Sequence, residues 1–480
     1  MIKLSVSLTF YGGVNEIGGN KILLKDGDKK ILLDFGMSFR DYKKYFSMPF
    51  LQPRGLEDLL ATGLFPLQFK EQDLDAILLS HAHLDHCKYV SLISDGMKYH
   101  QTEEIINFLD KGEKLLKSKE ISWFEKEVGE LPSIFKQYRI PVICSKDTYI
   151  ILDALYGKDG CQDNRFDNPD VADLLPINYS KSYYSQNYVM AFPVNHSILG
   201  ASGWIINTEV GPIAYTGDFK MGDKTNKFIE NAEKASPEVL IIEGTNIGKE
   251  DEWKAKNLME YQKQIENVVY SSKKMIFIDF DYKDLEKFGI LYHIAQESDR
   301  QIIISSKLAH ILSKFGVNLS DSNILLFDKE TPDKNRRKWE RKLIENFREK
   351  DGTINGNDLQ KNQENYIFCS SFFLLKYLVD IKPIEDSPYI ISHSEPFDEE
   401  SEIAEEILTN WINLFGLKKY RIHVSGHASH LELINTIEKI HPKILIPVHT
   451  EHPEMIKKEV EKLGIKVILP QYGKEISIPR

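Results

Sequence analysis

Residues 81–86 read His-Ala-His-Leu-Asp-His and follow the apolar run Ala76-Ile77-Leu78-Leu79. Three imidazoles and a carboxylate within six residues are poor packing material and good metal ligands. Zinc takes nitrogen and oxygen donors. In a tight turn this spacing aims His81 and His83 to one side and Asp85 and His86 to the other. A loop of four solvated polar residues is the plain alternative, but it leaves the matching residues downstream unexplained.

Those residues share one position in the sequence pattern. Asn195-His196-Ser197 follows the apolar run 189–192, Thr216-Gly217-Asp218 follows 212–215, and His449 closes 444–448. Each stands just past the end of an expected strand, where α/β architectures place functional loops. Several such ligands together with the clustered motif describe a dinuclear site. With Asp34 in Leu33-Asp34-Phe35-Gly36, the chain resembles the metallo-β-lactamase superfamily.

Two metals about 3.5–4 Å apart can hold a bridging hydroxide and clamp a phosphoryl oxygen. The ligand assignment expected here puts His81, His83 and His196 on one zinc, and Asp85, His86 and His449 on the other. Asp218 bridges them, and manganese is the alternative metal. Asp34 is expected outside the ligand set, accepting an imidazole N–H and fixing its tautomer.

Further motifs narrow the class. Glu243 closes the apolar run before Gly244-Thr245-Asn246, and His423-Val424-Ser425-Gly426-His427-Ala428-Ser429 follows residues 418–422. With Pro447-Val448-His449, these resemble motifs A, B and C of the β-CASP branch, which contains nucleases. The glycine-rich start and the motif B segment look most like ribonuclease J. The resemblance covers nearly the whole chain and implies roles. His427 becomes the general acid for the leaving oxygen, and Glu243 orients its imidazole. Ser425, Gly426 and Ser429 either donate hydrogen bonds to a substrate phosphate at a helix start or serve ordinary N-capping. Histidine at motif C resembles the RNA-processing members rather than the DNA-repair relatives. His430 and His452 read equally as supporting or surface residues.

These residues need a scaffold. At 480 residues and 42% hydrophobic content, the chain can bury a large core and form two domains. The fold expected is α/β: a metallo-β-lactamase αββα sandwich with an inserted α/β β-CASP domain. Residues 1–249 and 396–480 make the sandwich. Residues 250–395, where helix and strand patterns alternate without a metal-type cluster, make the insert. Gly12-Gly13-Val14-Asn15-Glu16-Ile17-Gly18-Gly19 lacks the G-K-[ST] ending of a phosphate loop and reads as a tight turn whose backbone can approach the site. Residues 100–139 have a charged helical pattern and 156–186 read as loop. Together they form an elaboration, either solvated or capping the substrate. The stretch 334–348 is basic around Trp339 and reads either as an RNA-contacting helix or as a solvated face interrupted by Glu340 and Glu345.

Composition sets the remaining bounds. The net charge of −11 disfavours nonspecific coating of nucleic acid but not a local basic groove. Cys87, Cys144, Cys161 and Cys369 have no C-x-x-C spacing, which fits a reducing cytoplasm. Cys87 is read as a small buried residue rather than a ligand. The first residues alternate like a strand rather than a signal peptide, and no apolar run reaches membrane-spanning length.

The combined expectation is a cytoplasmic, zinc-dependent ribonuclease using a zinc-bridged hydroxide, 5′-to-3′ exonuclease and/or endonuclease. It would act on RNA, with no membrane partner and with a homo-oligomer left open. The rivals are a small-molecule metallohydrolase, which should not need Glu243 and His427, and a catalytically idle RNA-binding subunit, which should have lost ligands.

Overall fold

The computed structural model describes residues 6–47, 51–66, 74–90, 142–157, 160–161, 174–177, 188–249, 255–319, 323–393 and 399–479. Short runs with apolar residues at every second position become strands of two facing sheets. The first sheet runs in the order Glu475–Ile478, Val6–Phe10, Ile22–Asp26, Lys29–Leu33, Ala76–Leu78, Val142–Ser145, Leu174–Ile177. Its first four strands pair antiparallel and the rest parallel. The second sheet runs Lys466–Val467, Ile444–Val448, Val239–Glu243, Gly211–Tyr215, Ser202–Thr208, Val189–Pro193.

Period-two alternation decides what each face buries. Leu8, Leu24, Leu33 and Leu78 of the first sheet pack against Trp204, Tyr215, Ile241 and Ile446 of the second. On the outer face of the first sheet, Leu23, Leu32 and Ile77 meet Ile151 and Leu155 of helix Lys146–Tyr156. On the outer face of the second, Ala214, Leu240 and Leu445 meet Phe228, Ile437 and Ile456. These come from helices Asp223–Ala235, His430–Ile440 and Pro453–Val460. The result is helix, sheet, sheet, helix: the four-layer sandwich expected.

A third sheet is parallel throughout, in the order Thr353–Ile354, Ile324–Phe327, Gln301–Ile304, Tyr366–Ser370, Ile276–Asp279, Pro388–Ile391, Lys418–Arg421. Helices cover both faces, as a parallel sheet requires. Leu285–Glu297 and Ser306–Lys314 contribute to one side, and Glu399–Leu414 contributes Leu408 and Ile412 to the other. Lys418–Arg421 still pairs with Pro388–Ile391. We therefore place the return to the sandwich after Arg421, later than the expected 396.

The basic stretch 334–348 is not one continuous helix. Lys338–Arg348 is helical and turns Leu343, Ile344 and Phe347 inward. Arg336 precedes it and buries its guanidinium 2.5 Å from Asp328. Arg336 therefore braces the fold and is closed to RNA. The expected 100–139 helical pattern lies outside the described residues, as does most of 156–186. Within the latter, Leu174–Ile177 forms the edge strand of the first sheet, and Cys161 is buried.

Among the contacts that tie the third-sheet region to the sandwich are two ion pairs. Lys314 Nζ lies 2.6 Å from Asp153. Lys220 Nζ lies 2.9 Å from Glu286, two residues beyond Asp218.

Candidate metal centre

Strand ends bring the expected ligands together. The strand Ala76–Leu78 delivers Ser80 and His81, and His83 precedes the one-turn helix Leu84–Cys87. His196 follows Val189–Pro193, Asp218 follows Gly211–Tyr215, and His449 follows Ile444–Val448. Ligand atoms of His81, His83 and His196 lie within 4.8 Å of one another, as do those of Asp85, His86, Asp218 and His449. The glycine-rich turn shapes this loop. Gly18 has φ +87°, and a Cβ there would sit 2.8 Å from the Asp85 carboxylate. Gly36 is tighter still: a Cβ would meet Asp85 O at 1.6 Å. Backbone N–H groups of Asn20, Phe35 and Met37 donate to the carbonyls of Asp85, His86 and Leu84.

The hydrogen bonds decide which nitrogens face inward. Asp34 is buried and accepts from Ser80 N, Ser80 Oγ and Tyr215 OH, with His86 Nδ1 at 2.7 Å. Ser80 Oγ gives its proton to Asp34, so it can accept from His81 Nδ1 at 3.0 Å. His196 Nδ1 is 2.6 Å from Gly426 O. Thr245 Oγ1 donates to Glu243 and lies 2.9 Å from His449 Nδ1. Each Nδ1–H is thus directed outward, leaving the Nε2 lone pairs of His81, His86, His196 and His449 inward.

That arrangement fits cations. His83 Nδ1 is 3.1 Å from both His81 Nε2 and His196 Nε2, so one ring nitrogen faces two inward lone pairs. Asp218 Oδ2 is 3.1 Å from His86 Nε2, while its buried Oδ1 has no hydrogen-bond partner among the described residues. His449 Nε2 is 3.1 Å from Asp85 Oδ2. Burial, helped by neighbouring imidazoles, holds His81 and His196 well below the usual histidine range. Burial and the nearby Lys283 ammonium bring His83 down to about 4. Burial also opposes charge on His86 and His449, but Asp218 and Asp85 overcome it and raise both. Nitrogen-rich and carboxylate-rich halves sharing Asp218 suit two borderline metal ions.

Beside this cluster stands His427. Its Nδ1 is 3.0 and 3.1 Å from the two oxygens of Glu243, and its ring centroid is 4.9 Å from that of His196. Burial works against an imidazolium here, yet the Glu243 carboxylate raises His427 to about 9. Glu243 is itself fixed by the N–H groups of Phe219 and Thr245.

The remaining residues sort by their contacts. Ser429 forms a capping box with Glu432 at the start of His430–Ile440, so its hydroxyl serves the helix. The Gly426 carbonyl holds His196. Ser425 Oγ accepts from Asn246 Nδ2 and from His427 N, which shapes the loop under His427. His430 bonds Gly248 N and Glu459, and His452 is exposed ahead of Pro453–Val460. Neither joins the ligand groups. Cys87 is buried, which pushes its thiol up to about 12. Thr245, Ser80, Tyr215 and Asn20 are the functional neighbours that the sequence pattern did not reveal. Asn20 Nδ2 lies 3.5 Å from His86 Nε2.

Family models agree with this architecture. Residues 14–93 match the metallo-beta-lactamase superfamily. Residues 417–470 match the Zn-dependent metallo-hydrolase RNA specificity domain. The four-layer fold and the histidines and aspartates at its strand ends agree with both matches.

Among its relatives is ribonuclease J of Mycoplasma genitalium, 21% identical, with 95% of this chain and 70% of that one aligned. The Mycoplasma pneumoniae ribonuclease J is 20% identical over 96% and 71%. Transcription termination factor FttA of Methanocaldococcus jannaschii is 26% identical over 50% of this chain and 31% of its own. Over nearly its whole length the chain is similar to ribonuclease J. A crystal structure of a protein of unknown function from Enterococcus faecalis shares the fold, with TM-score 0.67 and 20% identity, covering 98% of this chain and 100% of that one.

Proposed function

We propose that this protein is a metal-dependent ribonuclease that hydrolyses RNA phosphodiester bonds in the ribonuclease J manner, leaving a 5′ phosphate. The carrying observation is the pair His427 and Glu243 set against a seven-ligand cluster. We assign His81, His83 and His196 to one ion and Asp85, His86 and His449 to the other, with Asp218 shared. Zinc suits these donors, and manganese is the alternative. Bound there, two divalent ions would activate an attacking water and neutralise charge developing on a phosphoryl oxygen.

The chain's own residues supply the rest. Asp34, Ser80, Gly426 and Thr245 hold the imidazoles in one tautomer. His427 donates its proton to the departing 3′ oxygen, an alkoxide that is a poor leaving group when unprotonated. Glu243 keeps that ring oriented and protonated near neutral pH. A small-molecule hydrolase of the same superfamily would need the ligands but not this pair. No helix among the described residues is long and apolar enough to cross a membrane, and a cytoplasmic site of action suits RNA processing.

End-labelled RNAs carrying a 5′ hydroxyl, monophosphate or triphosphate test the reading. Metal-dependent cleavage is expected, and the products separate mononucleotide release from internal cuts. Absence of cleavage on all of them, with both metals bound, would overturn it.

A further inference from the structure

The four central strands of the third sheet end side by side. In order they are Ile324–Phe327, Gln301–Ile304, Tyr366–Ser370 and Ile276–Asp279, all parallel. Everything just past their carboxyl ends therefore lies along one edge. Ligands of open parallel sheets bind at that edge. Strands lie about 4.8 Å apart, so this one extends over roughly 14 Å.

Lys329 follows the first strand, Lys307 the second, Phe372, Phe373 and Lys376 the third, and Tyr282 and Lys283 the fourth. Phe373 is 80% exposed and Phe372 38%. Their rings meet edge to face at 5.8 Å. Phe373 leaves most of its ring in solvent, which packing alone does not explain. Lysines follow the same strand and its neighbours along this edge. Lys307 Nζ lies 5.8 Å from the Tyr282 ring, Lys376 Nζ lies 5.3 Å from the Tyr377 ring, and the half-buried Lys329 is within electrostatic reach of Glu340, Lys307, Lys376 and Arg336. Two nearby carboxylates are paired with cations, Asp328 with Arg336 and Arg348 and Asp281 with Lys283, while Glu340 accepts from the Ser306 hydroxyl and keeps its charge. The edge reaches the metal centre, because the Lys283 ammonium and the Asp281 carboxylate both act on His83.

We propose that Phe372 and Phe373, flanked by Lys307, Lys329 and Lys376, form a nucleobase-stacking platform for single-stranded RNA leading to the metal centre. The proposal rests on the ribonuclease reading above. Aromatic faces and ammonium groups along one edge are what an unpaired polynucleotide needs, since every base offers a π-face and every linkage a negative charge. A protein partner would match the apolar rings but leave the three ammonium groups without a role. The arrangement also supplies the local basic lining that the net charge of −11 hides.

The test uses the intact protein and a phosphorothioate-linked oligoribonucleotide containing 2-aminopurine. Stacking should quench the fluorophore. Phe373→Ala should abolish much of the quench and weaken affinity by about tenfold, while Phe373→Trp should restore both. Lys307→Ser, Lys329→Ser and Lys376→Ser together should make the salt slope of binding shallower by about 2. Unchanged quench and affinity in Phe373→Ala, with the parent binding RNA well, would overturn the platform. Self-association lost in Phe373→Ala with RNA binding intact would also overturn it, marking the patch as a protein contact. A parent that neither binds nor cleaves any RNA would instead overturn the function proposed above.

Discussion

At Asp218, one carboxylate oxygen meets His86 and the other has no partner among the described residues. If that oxygen is reserved for a second ion, Asp218→Ala should lose metal and activity together. Elemental analysis should find close to two equivalents of zinc or manganese in the parent and clearly less in the variant. Full retention by the variant removes the bridging role. His427 should behave differently, because it stands beside the ligands. His427→Ala should keep its metal and bind RNA nearly normally while cleavage falls about 10²–10⁴-fold. The deficit should shrink on a substrate with a better leaving group, and an unaltered rate would take His427 out of the reaction. The histidines and aspartates of this centre were legible because their residue types are rare in such spacing and stand at strand ends. Thr245 and Tyr215 were not. Their types are common in any core, and their roles come from partners distant in sequence: Thr245 touches His427 and His449, and Tyr215 touches Asp34.

Elements were legible where burial imposes a period. The runs at 276–279, 301–304 and 444–448 are apolar because both faces are covered, and each is a strand. Lys418–Arg421 was not, since an edge strand of Lys-Lys-Tyr-Arg with two exposed lysines carries no apolar signature. For that reason its place at the edge of the third sheet could not be read from the residues. The basic stretch shows the same limit, for sequence cannot say that Arg336 turns inward. Arg336→Ser should cost stability of order 3 kcal/mol, because it strands Asp328 with one fewer buried partner. Denaturant unfolding checks this, and an unchanged midpoint would mean Arg348 alone satisfies Asp328. A second element-level prediction concerns the glycine-rich turn. Lys21 Nζ is buried and donates to the carbonyls of Gly19 and Gly36. Burial brings its ammonium from 10.5 down to about 8, despite Glu16 nearby. Between those values the unfolded chain holds more protons than the folded one, so this lysine makes stability rise with pH across that window. The rise should be missing from Lys21→Met when both proteins are unfolded by urea between pH 8 and 10. An identical pH slope in the two would show that Lys21 titrates normally.

For the whole molecule, the relevant quantity is where charge sits rather than its sum. An acidic protein that handles RNA through a local track should bind it with affinity that falls steeply with salt. Oligonucleotide binding measured over a range of ionic strength checks this, and no salt dependence in the parent would favour a small-molecule substrate. The molecule also gathers its centre from distant parts of the chain. Asp34 and His81–His86 come early, His196 and Asp218 follow, and His449 arrives after the whole third sheet. The strand Glu475–Ile478 then closes the first sheet by pairing with Val6–Phe10. This order has a consequence for biosynthesis. While the chain is still emerging from the ribosome, His449 and the closing strand are missing, so one ligand set is short and the N-terminal strand has an open edge. A ribonuclease built this way should gain its activity only once His449 has emerged and the strand Glu475–Ile478 has paired with Val6–Phe10.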